Sequence, residues 1–221
     1  MSTATVKAYK GAGMEGAIAK WYATNTANSM DAFRSDARRV AALLTPDAKV
    51  LEVAPGPGYF AIELAKLGGY RITGLDISKT FVEIVKRNAA KAEVRAEFRR
   101  GNASDMPFDD NQFDFLFCRA AFKNFSQPVL ALQEMYRVLQ PGGRALIVDL
   151  RRDASLDAIN REVAGMGLGF FSDWLTRLTF RFMLLKRAST KSEFGLLLAE
   201  TRFRDIVIEE KGIGMEIWLQ K

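Results

Sequence analysis

The 221-residue chain is 48% hydrophobic and 26% charged, a composition that excludes a disordered, collagenous or low-complexity protein. With no histidine and one cysteine, Cys118, it lacks ordinary zinc ligands, the base of a histidine-dependent triad and the partner for an internal disulfide. The 32 Lys and Arg exceed the 26 Asp and Glu by +6, an excess spread along the chain rather than gathered into a nucleic-acid-binding tail.

Residues 1–45 read as a helical lid, with Trp21, Tyr22, Phe33, Val40, Leu43 and Leu44 as apolar anchors. The opening MSTATVKAYKG has no apolar core behind its lysines, which speaks against a secretory signal. No run reaches the ~18–20 apolar residues of a bilayer span. The nearest, Gly165 to Leu185, is broken by Asp173, Arg177 and Arg181, so a soluble, cytoplasmic protein without a transmembrane segment is expected.

From Val50 onward, strand-like runs alternate with helical patterns. KVLEVA (49–54) is a buried strand, followed after a Pro/Gly turn by a helix from about Tyr59 to Leu67. RITGLDI (71–77) is a second strand, and Ser78 caps a helix with Phe81, Val82, Val85 and Ala89 on one face. EVRAEFRRG (93–101) is an amphipathic third strand near an edge, and FDFLFCRA (113–120) a fourth. Ser126 opens a helix through Leu139, with Pro128 in its first turn and Pro141-Gly142-Gly143 as its stop. RALIVDL (144–150) is the fifth strand, and residues 156–187 form an apolar helical insertion behind it. Thr190 to Glu193 is a capping box opening a helix with Phe194, Leu197 and Leu198 inward. DIVIEE (205–210) and MEIWLQ (215–220) are joined by only Lys211 to Gly214, which demands an antiparallel hairpin. The expected architecture over 1–221 is a single α/β domain: a Rossmann-like seven-stranded sheet, mostly parallel with the last strand antiparallel, and helices on both faces.

The sharpest local signal is Glu52-Val53-Ala54-Pro55-Gly56-Pro57-Gly58-Tyr59, where a strand ends, the chain turns tightly and a helix begins. Gly56 and Gly58 lack a Cβ, so a ligand can lie against the backbone. Asp76 closes the second strand 18 residues after Gly58, where a carboxylate can accept both hydroxyls of a ribose. Nicotinamide and S-adenosylmethionine proteins both use an acid there, and a charge favouring the following helix is the plainer reading.

The series continues with Gly101-Asn102-Ala103-Ser104-Asp105-Met106-Pro107-Phe108, Asn111-Gln112-Phe113-Asp114 and Tyr136-Arg137-Val138-Leu139-Gln140-Pro141-Gly142-Gly143-Arg144. Together with the glycine loop it resembles class I S-adenosylmethionine-dependent methyltransferases across roughly residues 35–150, and the terminal hairpin matches that family's sheet. Arg119 to Phe125 is similar to the segment of ubiquinone/menaquinone-type C-methyltransferases, which have Arg-Asn where Lys123-Asn124 stand. The resemblance implies S-adenosylmethionine as cofactor. Glu52, Ala54, Gly56 and Gly58 would line its methionine part and ribose, Asp76 would take the ribose hydroxyls, and Ile77 would pack on adenine. Asn102, where the family often has Asp, would accept from the adenine amino group, with Ala103 and Ser104 offering backbone groups. Arg119 and Ala120 would border the methionine, and Tyr22 is a lid residue over the cofactor or a core aromatic. Ala54 with Pro55 departs from the family's usual glycine.

A sulfonium methyl is already electrophilic, so the chemistry asks mainly for positioning. Without histidine, the candidates for a base are Tyr22, Lys123, Asn124 through a water, or Asp149. The resemblance favours Lys123-Asn124, although Lys lacks the planar fork of Arg. A small, apolar or aromatic acceptor is expected against Phe122, Lys123 and the insertion's Phe171, Trp174 and Leu178; the insertion also suits core packing, a homodimer face or a membrane surface. Two other functions stay open: a nicotinamide-dependent oxidoreductase using Gly56-x-Gly58-x-x-Ala61, and a cofactor-binding regulator without turnover. No nucleic-acid partner is expected, because base-flipping residues are missing after strand four, and Lys86, Arg87, Lys91, Arg95, Arg99 and Arg100 read as a solvated face.

Overall fold

The computed structural model describes residues 9–10, 13–27, 30–165 and 185–221. Helices α1 (Gly16–Thr26) and α2 (Met30–Ala41) precede an alternation of β1 (Lys49–Val53), α3 (Tyr59–Ala65), β2 (Arg71–Asp76), α4 (Lys79–Lys91) and β3 (Glu97–Arg100). Then come β4 (Phe113–Arg119), a 3-10 turn (Phe122–Asn124), α5 (Pro128–Val138), β5 (Leu139–Leu150) and α6 (Leu156–Gly165). A second 3-10 turn (Leu185–Arg187), α7 (Lys191–Ala199), β6 (Arg204–Lys211) and β7 (Gly214–Gln220) follow.

The strands form one sheet in the order β3-β2-β1-β4-β5-β7-β6. The pairs from β3 through β5 are parallel, and β7 runs antiparallel to both neighbours, as its short connection to β6 requires. Central strands read as nearly continuous apolar runs because both faces are covered. On one face Val40, Phe60, Leu64, Val85, Phe115, Phe117 and Leu146 pack together. On the other, Leu51, Leu116, Leu132, Met135, Phe194 and Ile217 do so. This layering brings the carboxyl ends of β2, β1, β4 and β5 to one rim, where open α/β sheets bind ligands.

Local signals held where the physics is local. Ser78 Oγ accepts from Phe81 N at 3.1 Å, and Thr190 with Glu193 forms the reciprocal capping box. Three expectations need correction, and a fourth is only partly described. The third strand covers only residues 97–100, since an edge strand has a single partner to extend along. Helix α5 ends at Val138 because Leu139 is recruited to the ladder opposite Phe113, before the register resumes at Phe115 and Arg144. Trp21 and Leu43 are not anchors: they are 67% and 45% exposed, while Ala19 and Val40 carry the packing. Of the insertion, α6 packs Ala158, Ile159 and Val163 on Leu185 and Ile213; Phe171, Trp174 and Leu178 lie outside the described residues. No helix among the described residues is long and apolar enough to cross a membrane.

Candidate cofactor and acceptor site

The loop between β1 and α3 is built from left-handed backbone: Ala54 has φ 56°, Gly56 54° and Gly58 80°. Gly58 is obligatory, since a Cβ there would stand 2.0 Å from Val85 Cγ2. Ala54 carries the side-chain cost of its conformation, about 1–2 kcal/mol, while its N–H donates to Leu75 O at 2.8 Å. Above Gly56, a Cβ would just reach the rings of Tyr22 and Phe81 at 4.0 Å, and Tyr22 packs there against Ala19, Phe81 and Ile84.

Asp76 is buried at the end of β2 and crosses to the loop: Oδ2 accepts from Gly56 N at 3.0 Å and Oδ1 from Ser78 N at 2.9 Å. Burial raises its carboxyl to about 6, against the lowering effect of those two backbone donors. Ile77, next in sequence, is 36% exposed and offers apolar surface at the rim. Glu52 takes a place other than the one expected. It is 3% exposed, and Oε2 accepts from Ala61 N at 3.1 Å, bracing the first turn of α3 from below rather than lining the cleft. Burial pushes its carboxyl well above the ordinary range.

Across the rim, Asn102 Oδ1 accepts from Ser104 N at 3.0 Å and Ser104 Oγ donates to Gln127 O at 3.1 Å, while Ala103 leans on the core. Arg137 fastens the following turn by donating to Met106 O at 3.0 Å and Phe108 O at 2.7 Å.

Beyond β4, Ala120 is the second alanine in a left-handed conformation, φ 56°, exposed, with its N–H donating to Val148 O at 2.7 Å. Beneath it lies a buried ion pair. Lys123 Nζ donates to Asp149 Oδ1 at 2.9 Å and to Ala120 O, and Lys123 N donates to Asp149 Oδ2 at 2.8 Å. Leu150 N completes the set on Asp149 at 2.7 Å. Lys123 is therefore a clamp on the backbone, not a free base. Phe122 is not a wall of an acceptor site either: it is 3% exposed, with its ring 4.8 Å from Phe194 and 5.3 Å from Phe125. Arg119 turns toward α2, where it pairs with Asp36 and lies 5.4 Å over Phe33. Asn124 accepts from Lys10 N through its carbonyl at 2.8 Å.

That last bond ties down Tyr9, whose backbone bridges to Phe125. Its phenol is pushed up by burial, opposed by Arg187 and reinforced by Asp76 and Asp149. The Tyr22 phenol is pushed up by burial and by Tyr9, with Arg119 opposing. Both phenols thus stay protonated donors near neutral pH. Tyr9 was missed in sequence because it stands in no periodic pattern; Asp36 was missed because its partner is 83 positions away.

Residues 51–147 match the methyltransferase domain family. A demethylmenaquinone methyltransferase of Deinococcus radiodurans is 35% identical over 115 residues, covering 52% of this chain and 48% of its own length. Another, of Staphylococcus epidermidis, is 28% identical over 177 residues, covering 73% and 70%. The chain spans about half the length of the first of these relatives. Among solved structures, a candidate S-adenosyl-L-methionine-dependent methyltransferase of Methanococcus maripaludis superposes with a TM-score of 0.75 at 22% identity, covering 96% of this chain and 95% of its own. A methyltransferase of Aquifex aeolicus does so at 0.65 and 20%, covering 84% and 89%. At these identities the likeness is one of fold.

Proposed function

On the premise that residues 51–147 are a class I S-adenosylmethionine-dependent methyltransferase domain, we propose that the chain transfers a methyl group from S-adenosylmethionine to a small molecule with an apolar or aromatic body. The observation that carries this reading is Asp76: a buried carboxylate with no cation paired to it among the described residues, tied to Gly56 N in a glycine loop that turns from β1 into α3. An uncompensated carboxylate at that place suits a neutral diol, which brings two hydroxyl donors and no charge.

When bound, S-adenosylmethionine supplies an already electrophilic sulfonium methyl. The chain's residues bind, orient and exclude water. Asp76 accepts from the ribose, Ile77 covers the adenine, and Ala103 with Ser104 presents backbone to its edge. The Lys123–Asp149 clamp fixes Ala120 as the floor beside the methionine. Tyr9 and Tyr22 close the rim, with Tyr22 as a hydrogen-bond donor in place of a base. The insertion at 156–187 serves as acceptor cap or homodimer face, nucleic acid is not the acceptor, and the chain works in the cytoplasm.

Calorimetry with S-adenosylmethionine, S-adenosylhomocysteine, NAD and NADP tests the assignment. Saturable binding of the first two is expected; tight NAD(P) binding without S-adenosylmethionine binding would overturn it in favour of an oxidoreductase. Cofactor binding with no methyl transfer across a broad acceptor panel would favour the regulator reading, which the strained Ala54 and the Asn102 substitution motivate.

A further inference from the structure

Between α2 and the β6–β7 hairpin lies a cavity of about 250 Å3, walled by Asp36, Arg119, Val148, Lys211, Met215 and Glu216. Asp36, Glu216, Arg119 and Lys211 of this wall belong to a cluster completed by Arg39 and Glu209 behind it. Glu216 accepts from both terminal nitrogens of Arg39, at 2.8 and 2.6 Å, and from Lys211 Nζ at 2.7 Å. Asp36 accepts from Arg39 at 3.5 Å and from Arg119. The carboxylates are 5% and 6% exposed, which leaves the cations as the accessible polar groups of this wall.

Donor capacity remains. A guanidinium carries five N–H groups, and among the described residues Arg119 hydrogen-bonds to Asp36 alone. Lys211 spends protons on Glu216 and Glu209 and has a third, on a side chain that is 51% exposed. With Glu209 counted, the three cations meet three carboxylates, so what the cluster offers a ligand is unspent donors rather than excess charge. A wall with buried carboxylates, spare charged donors and an apolar floor at Val148 and Met215 fits an oxyanion on a short apolar stem.

The cavity also adjoins the proposed chemistry. Val53 pairs with Cys118, so Arg119 stands level with Ala54, the first residue of the glycine loop. Its charge reaches the Tyr22 phenol over that loop. We propose that this cavity seats an anionic group of the methyl acceptor, a carboxylate or a phosphate, with Arg119 and Lys211 as its donors and the reacting end directed toward the loop. The inference rests on the methyl-transfer reading and narrows its substrate class from apolar or aromatic compounds to those that also carry an oxyanion.

The test uses isotopically labelled protein saturated with S-adenosylhomocysteine, titrated with acetate and separately with inorganic phosphate while backbone shifts are followed. Saturable shifts at Ser35, Arg119 and residues 214–216 are expected with at least one probe, acetate alone marking a carboxylate site and phosphate alone a phosphate site. Lys211→Gln should weaken that binding by about five- to tenfold, the scale of one half-exposed charge-assisted bond, whereas Lys86→Gln, an equal charge loss elsewhere, should not. S-adenosylhomocysteine affinity should stay within about twofold in both variants, since neither residue touches the glycine loop. The absence of saturable shifts with either probe, or equal weakening by both substitutions, would overturn the proposal. Failure to bind S-adenosylhomocysteine would instead overturn the methyl-transfer reading, because that affinity is measured separately.

Discussion

Two pairs of buried carboxylates at the same rim of the sheet solve opposite problems. Among the described residues, Glu52 and Asp76, on β1 and β2, have only backbone N–H groups as partners, and burial raises both. Asp36 and Glu216, on α2 and β7, are wrapped by Arg39, Arg119 and Lys211; the Arg39 fork holds Glu216 down at about 2, while burial still raises Asp36 against the pull of Arg119 and Arg39. Of the first pair, Asp76 reaches the rim and keeps acceptor capacity suited to neutral hydroxyl donors, while Glu52 stays beneath α3. The second is met by side-chain cations and leaves their remaining donors facing outward. Burial alone therefore does not say what a carboxylate is for; the identity of its donors does.

The clamp beside Ala120 should break this contrast most severely. Lys123→Met would leave Asp149 buried with backbone donors only, and should cost about 3–5 kcal/mol in denaturant unfolding. A loss below about 1 kcal/mol would show that Asp149 tolerates what Asp76 tolerates. Next comes Asp76→Asn, expected to weaken S-adenosylhomocysteine by about 1.5–3 kcal/mol in calorimetry at neutral pH. The wild-type affinity should fall as pH drops through about 6, because protonation removes the anion that the ribose donates to, and the variant's profile should be flat. The ligand-free protein should show the reverse in stability. Its unfolded chain releases the Asp76 proton first, so stability declines as pH climbs from the ordinary carboxylate range to about 6.

Glu216→Gln should cost about 1–2 kcal/mol at neutral pH, discounted because Arg39 is 38% exposed. Here the sign is opposite. The carboxyl is depressed in the fold, so its contribution is present above the ordinary carboxylate range and is lost as pH falls toward about 2. The smallest effect is expected at Glu52→Gln, within about 0.5 kcal/mol near neutrality, since glutamine reproduces the shape of the protonated acid that burial favours. A large loss in thermal unfolding would mean that Glu52 works as an anion and belongs with Glu216.

Much of the architecture was legible because its determinants are short-range. Runs such as Val50-Leu51 and Leu146-Ile147 announce strands covered on both faces, and Thr190 with Glu193 announces a helix start from three positions away. Asp76 and the glycine loop were legible for the same reason, with strand, turn and helix contiguous. The partnerships that decide what the charges do were not. Lys123 meets Asp149 across 26 positions and Arg39 meets Glu216 across 177, and no local pattern encodes either. Lys123 looked like a base because its partner was out of sight. The left-handed alanines were equally hidden, since their backbone is imposed by the Leu75 and Val148 carbonyls they bond to.

The placement of β7 between β5 and β6 has a consequence for the order in which the molecule assembles. β6 touches the sheet only through β7, along the register Val207–Trp218 to Lys211–Gly214, with a two-residue turn at Gly212 and Ile213 between them. Such a hairpin closes in microseconds from local contacts, whereas β5 with β7 is a non-local pairing that must first overcome the closure entropy of the intervening chain. β7 thus carries both β6 and the Glu216 end of the Arg39–Glu216 fork, so the cavity wall on α2 is complete only when β7 is paired with β5.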